Sequence, residues 1–194
     1  KIIFKYFFEM VVATDFDKAA LSLLKKKKNL ILLKISKIKE ERIEFRSTLF
    51  GNLYQTKDFT SINNKFLTLA SNKNTSKKLI DDLLFSLKVV KHLKSNAIVL
   101  TCNKQTVGLG LGQTNRVDAL KFAIKNKNTY FKNKYFVCAS DGFFPFTDSL
   151  KLLNLNGCCA VAQPSGSIND DKIISFSNRK NIPLYFINNR LFKH

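Results

Sequence analysis

Short apolar runs in the second half of this chain alternate with stretches whose apolar residues recur at helical spacing. That alternation points to an α/β fold, with helices packed on a sheet. The clearest helix begins at Thr75 or Ser76 and ends near Leu93. Its Leu79, Ile80, Leu83, Leu84, Leu87 and Val90 form one stripe of period 3.6. Strands are expected over residues 96–101, 106–109, 135–139, 158–162 and 184–187, and helices over 113–125, 147–153 and 169–178. Upstream, residues 7–13 and 30–35 read as strands around a helix over 16–27, capped by Asp15. The lysines from Lys25 to Lys28 then suit the negative pole of that helix as a solvated terminus. Residues 42–55 look extended and broken at Gly51, and 57–73 are polar and irregular.

Each apolar run of the second half stops at Gly, Pro, Asn, Asp or Arg. Five segments carry this punctuation: KSNAIV from Lys94, GLGLGQTNRVDA from Gly108, SDGFFPFTD from Ser140, QPSGSINDD from Gln163, and the terminal RLFKH. In open α/β sheets ligands bind outside the carboxyl ends of strands, where such segments would lie. GLGLGQTNR is either a glycine-rich turn from strand to helix or a place where backbone approaches a ligand; its spacing is not that of a dinucleotide fingerprint. Arg116 falls in the first turn of the following helix, where a cation opposes the positive pole, so a carboxylate or a substrate must account for it. Arg190 poses the same question near the terminus. In SDGFFPFTD, Phe144 reads as a core plug, and the remaining residues as an aromatic wall with Asp148 at its rim. Ser167 to Asp170 has capping-box spacing, just after a Pro-Ser-Gly turn that admits a ligand.

Composition narrows the classes. With 194 residues, 45% of them apolar, the chain makes one large domain or two small ones with a real core. Nothing approaches the ~18 uninterrupted apolar residues of a membrane span. The formal charge is +19, but 28 of the 33 basic residues are Lys, mostly scattered among many Asn, Ile and Phe. A/T-rich codons explain that excess, and specific readers of nucleic acid favour Arg forks. The four cysteines include no CxxC and only two histidines accompany them, so no zinc constellation forms and no metal ligands are assigned. The cysteines read as small buried apolar residues of a reducing compartment. The first residue is Lys1, and the chain is read as a piece of a longer polypeptide that starts within a domain.

Together, in this order, KSNAIV, GLGLGQTNRVDA, SDGFFPFTDS, QPSGSINDD and RLFKH resemble the C-terminal half of AICAR transformylase, the formyltransferase domain of the bifunctional purine biosynthesis enzyme whose other domain is IMP cyclohydrolase. FDKAALSLLKKKKNLILL near the start matches that family too, so the likeness covers essentially residues 1–194. The resemblance implies a three-layer α/β/α sandwich, cytidine-deaminase-like but without zinc. It implies formyl transfer from 10-formyltetrahydrofolate to the amine of AICAR. Asn96 and Arg116 would lie at the base and carboxamide, with Phe143 nearby and Arg190 at the phosphate. Pro145, Phe146, Asp148 and Ser167 would border the folate, and His194 would lie close to the reacting groups, with Asn96 and His194 as the catalytic pair of this segment. A potassium ion near Ser95 and Asp141 is also implied, as are a homodimer and a cytoplasmic location.

The family's main catalytic Lys-His pair belongs to a half that this chain does not contain. Lys91-His92 is no substitute, because it ends the helix before KSNAIV, where the resemblance places no catalytic residue. The segment is therefore expected to lack formyl transfer alone, to need the N-terminal half as its partner, and to have no membrane or nucleic-acid partner. The alternative is a non-catalytic basic nucleic-acid-binding module on the same fold.

Overall fold

A computed structural model describes residues 1–36, 41–132 and 135–193. The chain divides into two units, Lys1–Phe59 and Thr60–His194.

The first unit contains a 3-10 turn at Ile3–Lys5, strand β1 (Met10–Ala13), helix α1 (Lys18–Leu24) and strands β2 (Ile31–Lys34), β3 (Ile43–Thr48) and β4 (Gly51–Thr56). β1 and β2 pair in parallel, with α1 as the crossover, and β3 and β4 form an antiparallel hairpin. The expected strand and helix here are both shortened at their ends. Asp15 is not the cap: its carboxylate accepts from Phe16 N–H and pairs with Lys34 Nζ at 2.8 Å. Asp17 caps α1 instead, accepting from Ala20 N–H. The lysine run follows α1 in a succession of turns rather than ending the helix. Leu24 is the one buried residue among those described in this unit. Register puts Ile43, Phe45 and Tyr54 on one side of the hairpin and Glu44, Arg46 and Gln55 on the other. All three of the former are exposed.

The second unit holds strand β5 (Thr68–Leu69), α2 (Lys77–Val90), β6 (Ile98–Cys102), β7 (Gln105–Gly110), α3 (Arg116–Tyr130), β8 (Phe136–Ser140), α4 (Asp148–Leu155), β9 (Cys158–Pro164), α5 (Asp170–Arg179) and β10 (Leu184–Ile187). They build a mixed six-stranded sheet in the order β5-β10-β9-β8-β6-β7. β8, β9 and β10 run parallel, while β6 runs antiparallel to both its neighbours. β5 lies inside the stretch expected to be irregular, and pairs antiparallel with β10 over two residues. A pairing so short leaves no periodicity to read.

Strand alternation sorts the core. Ile98, Leu100 and Cys138 join one apolar cluster with Leu120 of α3, Leu150 of α4 and Ile173 of α5. Val99, Val137 and Ala139 join another with Leu83 and Leu87 of α2. Residues facing both clusters make continuous apolar strands, which is why β6 and β8 are buried along their whole length. Phe144 is fully buried in the first cluster, as a core plug.

Gly108 falls within the strand expected over residues 106–109, and Gly110 extends that strand. Both lie inside β7, not in a turn. A Cβ at Gly110 would sit 1.8 Å from the carbonyl oxygen of Ala119, and one at Gly108 2.3 Å from that of Ala123. Their role is to let the backbone of α3 rest directly on the strand. Only Gly112, at φ +64°, serves the turn that follows.

Candidate functional site

The antiparallel pairing of β6 with β8 puts the entry of β6 beside the exit of β8, and the exits of parallel β9 and β10 lie on the same side. Backbone bonds tie these ends together. Asp141 N–H donates to Ala97, Leu191 N–H to the Asp141 carbonyl, and Ser165 N–H to Ile187. The terminal segment is held by reciprocal bonds, from Ser95 N–H to the Lys193 carbonyl and from Lys193 N–H to Ser95 Oγ at 3.0 Å. Four of the five punctuated segments therefore meet at one end of the sheet, and the fifth enters it through Arg116.

Arg116 begins α3, and its opposition to the helix pole is answered by a carboxylate. Its Nη2 lies 2.9 Å from Asp141 Oδ1, and the Asp141 side chain is fully buried. Arg116 Nη1 also donates to the Phe143 carbonyl at 3.3 Å. Arg116 Nε and Asp141 Oδ2 are buried without a hydrogen-bond partner among the described residues. Arg190 stacks over Phe143 at 5.1 Å, and Phe192 lies 5.9 Å from the Arg116 guanidinium and 5.7 Å from that of Arg190. The two arginines thus share an aromatic neighbour, which lets like charges converge on a small space at modest cost. Phe192, which sequence reasoning did not assign, is the residue that joins them. The alternation of Arg and Phe in RLFKH was the available signal.

Asn96 is joined to Ser95 by a cis peptide bond. Its Nδ2 donates to the carbonyls of Gln113 and Thr114 at 3.0 and 3.2 Å, pinning the turn into α3. With both amide protons engaged, what Asn96 has left for a ligand is its carbonyl oxygen. Asn115 caps α3, which begins three residues after the expected start at 113 and runs on to Tyr130.

Pro145 and Ser167 are half-buried, and Phe146 and Asp148 are exposed. Asp148 opens α4 and accepts from Ser149 N–H. Ser167 departs from the expected capping box: its Oγ accepts from Asn169 N–H, and Asn169 is the cap position of α5. Asp170 reaches back as a box residue would, its Oδ2 accepting from Gly166 and Ser167 N–H. His194 lies outside the described residues. Lys91 ends α2 and its ammonium donates to the Thr60 carbonyl, while neighbouring His92 is exposed.

Two cavities lie away from this cluster. One of about 860 Å³ is lined by residues such as Phe7, Met10 and Ile31, and one of about 540 Å³ by residues such as Lys73, Cys159 and Lys180. No residue of the arginine cluster lines either. Burial pushes the thiols of Cys138 and Cys158 well above the ordinary cysteine range, which leaves them inert apolar groups. No group of three or more His, Cys, Asp or Glu side chains among the described residues is placed to hold a metal ion. No described helix is long and apolar enough to cross a membrane.

Buried Arg–Asp pairing, stacked aromatics and helix-opening loops thus gather at one end of an α/β sheet, the end at which open α/β sheets place their ligand crevice. The chain belongs to the AICARFT/IMPCHase bienzyme family, whose sequence model matches residues 1–126. It is 42% identical over 192 residues to the bifunctional purine biosynthesis protein PurH of Caldicellulosiruptor saccharolyticus, covering 98% of this chain and 37% of that protein. It is 39% identical to the PurH of Buchnera aphidicola subsp. Schizaphis graminum and 42% to that of Persephonella marina, in each case over 100% of this chain and 38% of the relative. The chain therefore spans less than two fifths of the length of these relatives.

Proposed function

We propose that this chain is the C-terminal part of a transformylase domain, and that the parent enzyme transfers a formyl group from 10-formyltetrahydrofolate to the amine of AICAR in purine biosynthesis. The observation that carries the reading is the convergence of Arg116, Arg190 and Phe143 within a membership of the bienzyme family. In it, Arg190 takes the nucleotide phosphate, as a guanidinium fork suits an anion. Arg116, held by Asp141, and the Asn96 carbonyl orient the carboxamide, with Phe143 beside it. Pro145, Phe146, Asp148 and Ser167 border the folate.

The attacking amine is weak, because its lone pair is delocalised into the imidazole and carboxamide. Formyl transfer therefore asks for orientation, a proton acceptor and stabilisation of the tetrahedral oxyanion. This segment supplies the orientation. His194 is proposed near the reacting groups, and the main Lys-His pair in the N-terminal half. That half also has surface to cover, because Phe45, Tyr54, Met10 and Ile31 of the first unit are exposed. The three-layer cytidine-deaminase-like sandwich without zinc, the assignment of residues 1–194 to one domain, the homodimer and the cytoplasmic location belong to the same proposal. A potassium ion near the segments of Ser95 and Asp141, held largely by backbone oxygens, belongs to the proposal too.

The test is an assay of the chain with AICAR and 10-formyltetrahydrofolate, beside calorimetric titrations of each ligand and of duplex DNA. Binding of AICAR without turnover is expected. Turnover by the chain alone removes the need for the absent pair. Salt-sensitive DNA binding without AICAR binding overturns the transformylase reading.

A further inference from the structure

Three consecutive residues after β8 each have a backbone atom held by a side chain, and each holder comes from a different element. Arg116 of α3 donates to the Phe143 carbonyl at 3.3 Å. Gln163, near the end of β9, accepts from Phe144 N–H through Oε1 at 3.1 Å. Asn169, before α5, donates through Nδ2 to the Pro145 carbonyl at 2.9 Å. The first was assigned to ligand binding from sequence; the other two were assigned nothing.

Neither Gln163 nor Asn169 does the task its position suggests. Asn169 stands at a helix cap, where an Asn side chain normally accepts from the first free N–H groups. Its side chain makes no such bond. The Asp170 carboxylate serves nearby N–H groups instead, and the Asn169 amide is turned out of the helix to Pro145. Gln163 is fully buried, and its Nε2 has no partner among the described residues. A buried amide left half-satisfied is poorer for stability than an apolar side chain of similar size. What it secures is the Phe144 N–H, and so the position of the loop.

We propose that Gln163 and Asn169 are positioning residues: they hold the 143–146 loop so that Phe143 meets Arg190 and Pro145 and Phe146 form the folate wall. This rests on the reading of that loop as part of the AICAR and folate site. Neither residue touches the substrate; each acts through the loop backbone.

Asn169→Asp separates this role from a merely structural one. Aspartate caps a helix as well as asparagine does, so α5 keeps its stability, but a carboxylate has no proton for the Pro145 carbonyl. In the 194-residue chain, the urea midpoint is expected to fall only slightly, as the loss of one hydrogen bond requires. Amide exchange at Phe143, Phe144 and Phe146 is expected to rise about tenfold, and affinity for 5-formyltetrahydrofolate to fall by a similar factor, the weight of one hydrogen bond. Gln163→Met, which fills the same space without an acceptor, is expected to raise exchange at Phe144 in the same way. Unchanged loop exchange in both variants overturns the proposal, as does unchanged folate affinity where the unaltered chain binds. Raised exchange in a chain that binds neither ligand sustains the hold on the loop and counts against the proposed function instead.

Discussion

Arg116 Nη2 donates to Asp141 Oδ1 at 2.9 Å, and the bond joins the first turn of α3 to the exit of β8 through a carboxylate that no solvent reaches. A cation at the positive pole of a helix is unfavourable, and a buried aspartate is worse, but each removes the other's penalty. Replacing Asp141 by Ala leaves the guanidinium, itself largely buried, without its counter-charge. The expected loss is about 3–5 kcal/mol, the range for removing one partner of a buried pair, read as a lower urea midpoint. Asp141→Asn, which keeps an acceptor, is expected to lose less stability but to weaken AICAR binding, since Arg116 is then held less firmly.

Gly110→Ala tests the contact between α3 and β7. The added methyl would meet the Ala119 carbonyl at 1.8 Å, where backbone rather than a pliable side chain must move. The expected cost is at or above the ~1–3 kcal/mol of core overpacking. Faster exchange is expected in α3 and not in α2. An unchanged urea midpoint would show that α3 can slide on the strand.

Asp82 closes the β6–β7 hairpin from α2. Its carboxylate accepts from Asn103 N–H at 2.9 Å and Lys104 N–H at 2.6 Å, and both residues have positive φ. That is the geometry of a two-residue turn whose twist suits a hairpin. Asp82→Ala removes two charge-assisted bonds and is expected to cost about 2–3 kcal/mol, because the exposed turn lets water replace part of them. Denaturation and exchange at Cys102 and Gln105 check it.

The N-terminus of α3 carries a pH dependence. Asn115 caps the helix and its amide donates to Asp118, which also pairs with Lys121. The Asn115 amide first, and Lys121 second, hold the Asp118 carboxyl below the ordinary carboxylate range. A carboxyl depressed in the folded state stabilises above its unfolded value and loses that contribution as pH falls through its folded value. The unaltered chain is thus expected to exceed Asp118→Asn in stability at pH 7, and the gap to close below about pH 4. Denaturation of both at pH 7 and pH 3 measures it.

Alternation of apolar runs with helical stripes, legible in residues 75–187, yielded the order and type of every described α-helix and of all but one described strand of the second unit. It works there because a buried strand reads as a continuous apolar run and a covering helix as a stripe. It yields less in the first unit, whose strands lack a buried face among the described residues, so that their ends drift by up to three residues. Of the site, the five segments themselves were legible, because Gly, Pro and Asn mark where a strand stops. The bonds across them were not. Nothing near Arg116 in sequence announces Asp141, 25 residues on, and nothing near Asn169 announces Pro145, 24 residues back.

The sequence by itself determined the class of fold, the family and the segments that gather at one end of the sheet, since these follow from local pattern and from motifs in a recognisable order and spacing. Only the tertiary structure decided what the residues in those segments do. It set Gly108 and Gly110 against the backbone of α3, gave Phe192 to both arginines, and bonded the Asn169 amide to the Pro145 carbonyl. Such roles depend on which strand ends the sheet order makes neighbours, and hydrogen bonds act over about 3 Å, a distance that sequence separation does not measure.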